Sequence, residues 1–196
     1  MEKHNFDFNK IFDKGIYKKY LESYQSDINV INSFGIAKTK EILEGKSIID
    51  ENYIGETAIF VPMDYYCLIN DEENAFTYGI GSCCGLVIFN GNSKFLMHIS
   101  PKHSVDEILT LLESLNLSSN GEVYIFPGNA CELGRGENQI NYKLLANKLE
   151  LLNNNVYVRK FNSISGGVYL LKDKLVIEDN NPYYIKRFEN STTIKK

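Results

Sequence analysis

The chain has 196 residues, 43 % of them hydrophobic and 23 % charged, with a net charge of −4. That is enough chain for one domain with a real core, in proportions ordinary for a soluble globular protein. The mildly acidic balance, with no basic stripe, argues against nucleic acid or an anionic membrane surface as a partner, and no apolar run approaches the length of a transmembrane helix.

Residues 1–50 read as a mostly helical N-terminal extension. Phe8, Ile11, Phe12, Ile16, Tyr17 and Tyr20 recur at helical spacing, and Asn29 to Leu43 is a second candidate helix. The start, Met1-Glu2-Lys3-His4, is too polar to read as a secretory signal. From Ile54 the period changes to that of strands. Ala58 to Pro62 and Tyr65 to Ile69 are short strands, Asp71-Glu72-Glu73-Asn74 is a turn, and Ala75 to Gly79 leads into a Gly81-Ser82-Cys83 corner. Gly85 to Phe89 and Asn92 to Ile99 form a hairpin. Ser104 reads as a helix N-cap with Glu107 completing a capping box, and Val105, Ile108, Leu109, Leu111, Leu112 and Leu115 supply that helix with a buried face. Glu122 to Phe126 is a strand ended by Pro127-Gly128-Asn129, Cys131 to Glu137 a Gly-rich loop, Asn138 to Leu152 a helix and Val156 to Phe161 a strand. Ser165-Gly166-Gly167 turns into a last hairpin, Val168 to Leu171 and Leu175 to Glu178, and residues 181–196 are a polar tail. This order favours an α+β fold. A β sandwich of mostly antiparallel strands flanked by helices would occupy residues 51–180, after the helical segment.

Four cysteines, Cys67, Cys83, Cys84 and Cys131, lack the density of a disulfide scaffold, so a reducing, cytoplasmic type of compartment is the expectation. Adjacent strand residues point to opposite faces, which rules against a Cys83–Cys84 bond. With no Cys-x-x-Cys pair and three histidines, zinc is weakly supported, and neither metal nor cofactor is expected.

The chemistry concentrates in the hairpin. Asn90-Gly91 is a strong signal for a two-residue type I′ turn, in which both central residues take positive φ. That turn makes Phe89 face Asn92 and, counting back, Cys83 face His98, with Cβ atoms about 4.5–5.5 Å apart. A thiol beside an imidazole is how a cysteine becomes a nucleophile at neutral pH. A turn centred on Gly91-Asn92 would instead put Ser100 opposite Cys83 and undo the facing pair. On strand alternation Cys84 shares the buried face of Leu86, Ile88, Phe95 and Met97, whereas Cys83 should be partly reachable from solvent. His103 lies past Pro101 at a helix start, outside the ladder. His4 is in the terminal segment. Arg135 in the Gly-rich loop is a candidate anion contact, set against a solvated loop arginine; the glycines there are not a phosphate-loop pattern.

Thr77, Gly81-Ser82-Cys83 and a following strand that ends in His98 resemble the cysteine-dependent glutamine deamidases, the superfamily of the CheD chemoreceptor deamidases, the cytotoxic necrotizing factors and the Burkholderia lethal factor. The resemblance covers roughly residues 55–180. It implies a β sandwich flanked by helices, Cys83 as nucleophile, His98 as general base and Thr77 as the group that orients His98. The Gly-Ser-Cys order is CheD-like, while the Cys-to-His spacing is toxin-like; Ile99-Ser100-Pro101 departs from the Leu-Pro step usual after the CheD histidine. The implied reaction is conversion of a glutamine of a protein partner to glutamate through a thioester, with backbone N–H groups at Gly81 and Ser82 holding the oxyanion and substrate. An amine in place of water would give transglutamination. Such a chain could serve chemotaxis or act as a toxin or effector delivered into a host cell. Two other classes stay open: another cysteine hydrolase or acyltransferase, peptidase-like, and a non-catalytic CheD-like binding module.

Overall fold

The computed structural model describes residues 33–38, 40–42, 57–129, 141–161, 165–172, 174–179 and 191–195. In chain order the strands are β1 (Gly35–Ile36), β2 (Lys40–Ile42), β3 (Thr57–Phe60), β4 (Tyr65–Ile69), β5 (Ala75–Ile80), β6 (Cys84–Asn90), β7 (Ser93–Ile99), β8 (Glu122–Pro127), β9 (Asn155–Val158), β10 (Gly166–Leu170), β11 (Lys174–Glu178) and β12 (Ser191–Lys195). Helix α1 (Val105–Ser114) precedes β8, and α2 (Tyr142–Leu151) precedes β9. Among the described residues the strands form two six-stranded sheets, ordered β1-β4-β7-β6-β8-β9 and β12-β11-β10-β5-β3-β2. Most neighbours are antiparallel; β1–β4, β3–β5 and β8–β9 are parallel. The fold is α+β, as the element order implied.

Alternation on the hairpin strands builds two cores at once. Cys84, Leu86 and Ile88 of β6, with Phe95, Met97 and Ile99 of β7, pack against Ile108, Leu111 and Leu112 of α1 and Leu145 and Leu149 of α2. Their neighbours Val87, Phe89 and Leu96 point the other way, onto Ile80, Val168, Leu170 and Ile177 of the second sheet. The layers therefore run helices, first sheet, second sheet. Strand β6 is buried on both faces, which is why Cys84-Gly85-Leu86-Val87-Ile88-Phe89 reads as a continuous apolar run. Helix α1 starts as its sequence specifies. Ser104 Oγ accepts from the Glu107 N–H at 3.2 Å, and Glu107 Oε2 accepts from the Ser104 N–H at 2.7 Å, a complete capping box.

Four expectations are corrected. Residues Gly35–Ile36 and Lys40–Ile42 are strands within the expected second helix of the N-terminal extension; β1 lies beside β4, where a Cβ on Gly35 would collide with the Tyr65 ring. Residues 191–195 of the expected tail pair with β11. The expected Ser165-Gly166-Gly167 turn is already strand from Gly166, with a bulge opposite it: Gly166 pairs with Ile80 and Gly167 with Tyr78, leaving Gly79 as the extra residue at φ +76. That bulge turns Ile80 into the core after Ala75 and Thr77 have already faced it, and it re-aims the chain entering the 81–83 corner.

The fourth correction is the hairpin register. Asn90 pairs with Ser93 and Gly85 with His98, so the turn is Gly91-Asn92. Of these two only Gly91 takes positive φ, +59, the pattern of a turn with glycine at its first central position. Asn90 stays in the strand because its amide is used elsewhere, within 3.5 Å of the Asn116 carbonyl and 3.4 Å of the Ser119 carbonyl. The helical spacing at Phe8 to Tyr20 falls outside the described residues.

Candidate active site

The ladder between β6 and β7 ends at Cys84–Ile99, so Cys83 falls level with Ser100 and does not face His98. The facing pair derived from the turn is therefore overturned. The corrected register moves the pairing by an even number of positions, and an even shift preserves the face. His98 now faces Gly85, and Cys83 precedes Gly85 by two residues, so Cys83 and His98 are diagonal neighbours. Such positions have Cα atoms roughly 7–8 Å apart, with side chains somewhat closer. Cys83 packs with Val87 and Leu96 in the core between the sheets, and Cys84 packs on the helix side, so alternation divides the two thiols as expected.

His98 is 4 % exposed and reaches across to the second sheet, where its Nδ1 lies 2.8 Å from Thr77 Oγ1. Thr77 is fully buried on β5, opposite Val168. The other ring nitrogen, Nε2, is buried with no hydrogen-bond partner. Burial pushes the imidazole down to about 4, against a smaller opposing pull from the Asp64 charge, so the ring is neutral at pH 7.

Cys83 is 5 % exposed, against the expectation of a reachable thiol. Met63, half exposed, lies against it, and its sulfur accepts from Cys83 Sγ at 3.6 Å. Met63 sits in a turn closed by the Tyr65 N–H on the Pro62 carbonyl, with Asp64 at φ 67. Asp64 bolts this turn to the end of β7. Its N–H donates to the His98 carbonyl at 2.7 Å, its Oδ1 accepts from the Ser100 N–H at 3.1 Å, and Lys102 Nζ lies 2.7 Å from Oδ2. Burial works to raise the Asp64 carboxyl; the bonds from Lys102 and Ser100 and the nearby His103 outweigh it and hold the carboxyl below its usual range. Sequence reasoning missed Met63 and Asp64. Pro62-Met63-Asp64 between two strands signals a turn, but nothing local says that the turn docks on β7.

The corner itself is held from β8. The Gly128 N–H donates to the Cys83 carbonyl at 3.0 Å, and a Cβ on Gly128 would collide with the Gly81 carbonyl. Gly81 is half-buried and Ser82 exposed, so the chain dives from solvent to a buried thiol in two residues. His103 is engaged elsewhere, buried on the Phe34 ring, with Nε2 3.2 Å from Asp64 Oδ1 and Nδ1 3.6 Å from Glu107 Oε2. Cys67 is buried and its thiol is pushed up to about 12, out of reach of chemistry at neutral pH. His4, Cys131 and Arg135 lie outside the described residues. Among the described residues no cluster of His, Cys, Asp or Glu is placed to hold a metal ion, and no helix is long and apolar enough to cross a membrane. No family model matches this chain, and no curated protein matches it.

Proposed function

We propose that the chain is a cysteine-dependent protein glutamine deamidase in which Cys83 is the nucleophile, His98 the general base and Thr77 the residue that positions His98. The observation that carries this reading is the buried Thr77–His98 contact with Nε2 left unpartnered on the face that bears Cys83. A buried polar atom without a partner costs about 1–3 kcal/mol, and at His98 Nε2 a proton-accepting role toward Cys83 would account for that cost. In the tautomer that donates Nδ1–H to Thr77 Oγ1, the Nε2 lone pair is the acceptor, and the charge of the thiolate formed on transfer would offset the burial that disfavours the imidazolium.

In the reaction Cys83 Sγ–H turns from Met63 toward His98 and gives its proton to Nε2. The thiolate adds to the carboxamide carbon of a protein glutamine. The C–N bond breaks as His98 returns the proton to the departing nitrogen, ammonia leaves, and a thioester remains. Water, losing a proton to His98, attacks the thioester; the C–S bond breaks, the thiol is reprotonated and the side chain is now glutamate. The new negative charge can lock a switch or break an interface of the partner. A reducing compartment suits this chemistry, with Cys67, Cys83 and Cys84 all free thiols.

The test is mass spectrometry of a proteome incubated with the wild-type chain and with Cys83→Ser. Glutamines converted to glutamate only by the wild type support the reading and name the partner. Peptide bonds cut at defined sites instead would move the assignment to a peptidase. Equal conversion by a folded Cys83→Ser chain would end the catalytic assignment.

A further inference from the structure

Methionine and glutamine have the same skeleton out to the fourth atom from the backbone: Cα, Cβ, Cγ, then Sδ in one and the carboxamide carbon Cδ in the other. Met63 holds that fourth atom 3.6 Å from Cys83 Sγ. A nucleophile and the carbon it attacks stand roughly 3–3.5 Å apart in a reactive complex. Met63 therefore occupies, from within the chain, the position that the proposed reaction requires of a substrate glutamine. We infer that Met63 is an internal mimic of the substrate side chain, and that the substrate brings its glutamine on a tight, protruding turn as the Pro62–Tyr65 turn brings Met63. This inference rests on the deamidase reading and adds to it the shape of the substrate and a means of self-restraint.

Three features support it beyond the distance. The backbone of the turn is fixed by Asp64 to His98 and Ser100, so its reach is set by β7, the strand that carries the base. The side chain is loose where the backbone is not: Met63 is 53 % exposed, unbranched and free to swing to solvent. And the thiol it contacts lies one residue past the exposed Ser82, at the point where the chain enters the core. A thioether has no leaving group and no electrophilic carbon, so Met63 can fill the site without reacting. A substrate has to displace one exposed methionine, a small barrier that keeps Cys83 from adventitious electrophiles until then.

Met63→Gln turns the mimic into a substrate. In the purified full chain, the peptide spanning position 63 should gain about one mass unit as amide becomes acid, through the same thioester and with water as co-reactant. Met63→Gln combined with Cys83→Ser, or with His98→Ala, should keep its amide. Met63→Asn, whose carboxamide carbon is one bond nearer the backbone, should also keep it. Retention of the amide in Met63→Gln would overturn the inference if wild-type and Met63→Ala chains still deamidate proteome glutamines in a Cys83-dependent way; the deamidase reading would then stand without the mimic. Retention with no such activity would remove both. Conversion that persists with Cys83→Ser would be spontaneous and would also overturn the inference. Because position 63 is half exposed, circular dichroism can confirm that each variant keeps its fold.

Discussion

Strand β7 buries two titratable side chains, Lys94 near its start and His98 near its end, and the sandwich treats them oppositely. Both point between the sheets, on the face of Leu96. Lys94 is 1 % exposed, and its ammonium donates to the carbonyls of Asp71, Leu171 and Lys172 at 3.2, 3.2 and 2.6 Å, with Asp71 Oδ1 3.5 Å away. Its three protons meet three acceptors, and those acceptors belong to two turns that the Lys172 N–H to Asn74 Oδ1 bond also ties together. That end of the sandwich is sealed by a satisfied charge. At the other end His98 has one nitrogen on Thr77 and one on nothing, beside a thiol stoppered by a methionine. A buried polar group with every bond made is explained by the fold; the open nitrogen of His98 is the one the proposed proton transfer would use.

The comparison can be broken at either end. At the His98 end, His98→Ala and Cys83→Ser should each lower deamidation by at least about 10²–10⁴-fold, the range that a proton-transfer group supplies. The double variant should be no worse than the more damaged single one, since the two side chains act as a unit. Steady-state ammonia release checks this. At the Lys94 end, Lys94→Met should cost about 3 kcal/mol in urea denaturation, because the aliphatic stem is kept while one buried and two part-buried carbonyls lose their donor. Activity per folded molecule should be unchanged, and a loss of turnover there would erase the distinction between the ends.

Acid should act through His98. Its folded value, about 4, lies below the ordinary 6.5, so between those pH values the unfolded chain binds a proton that the folded chain refuses. Stability is therefore full above pH 6.5 and falls as pH drops toward 4, by about 3 kcal/mol for this group. Denaturation midpoints across that window should show the slope, and His98→Gln should flatten it. Thr77→Val, which keeps volume and loses the hydroxyl, should reduce turnover by about tenfold to a hundredfold while sparing the fold. The smallest effect is expected at Cys84→Ala, which sits on the helix side and should leave turnover nearly unchanged.

Much of this site was legible because period-2 alternation is robust. Cys84 on the helix side with Leu86 and Ile88, and Cys83 on the other face, follow from the strand alone. The capping box at Ser104 and Glu107 is equally local. The register was not legible, because Asn90-Gly91 and Gly91-Asn92 are both acceptable two-residue turns, and the choice depends on Asn90 binding carbonyls at Asn116 and Ser119, far along the chain. The strands at Gly35 and Lys40 were hidden for a related reason. They are two- and three-residue edge strands set by pairing with β4 and β3, too short to carry a period of their own. The cover at Met63 and its anchor at Asp64 depend on a turn docking across the end of β7, a tertiary event with no sequence pattern.

Whether His98 takes the proton of Cys83 is read from the alkylation of Cys83. In a Met63→Ala background, which removes the methionine sulfur from Cys83 Sγ, the alkylation rate is measured against pH with His98 present and with His98→Gln. With His98 the rate should persist well below the ordinary thiol range of about 8.5, because transfer to the ring leaves an imidazolium paired with the thiolate, and His98→Gln should make it fall roughly tenfold per pH unit, as for an isolated thiol. Two superimposable profiles, both following an isolated thiol, would contradict that transfer.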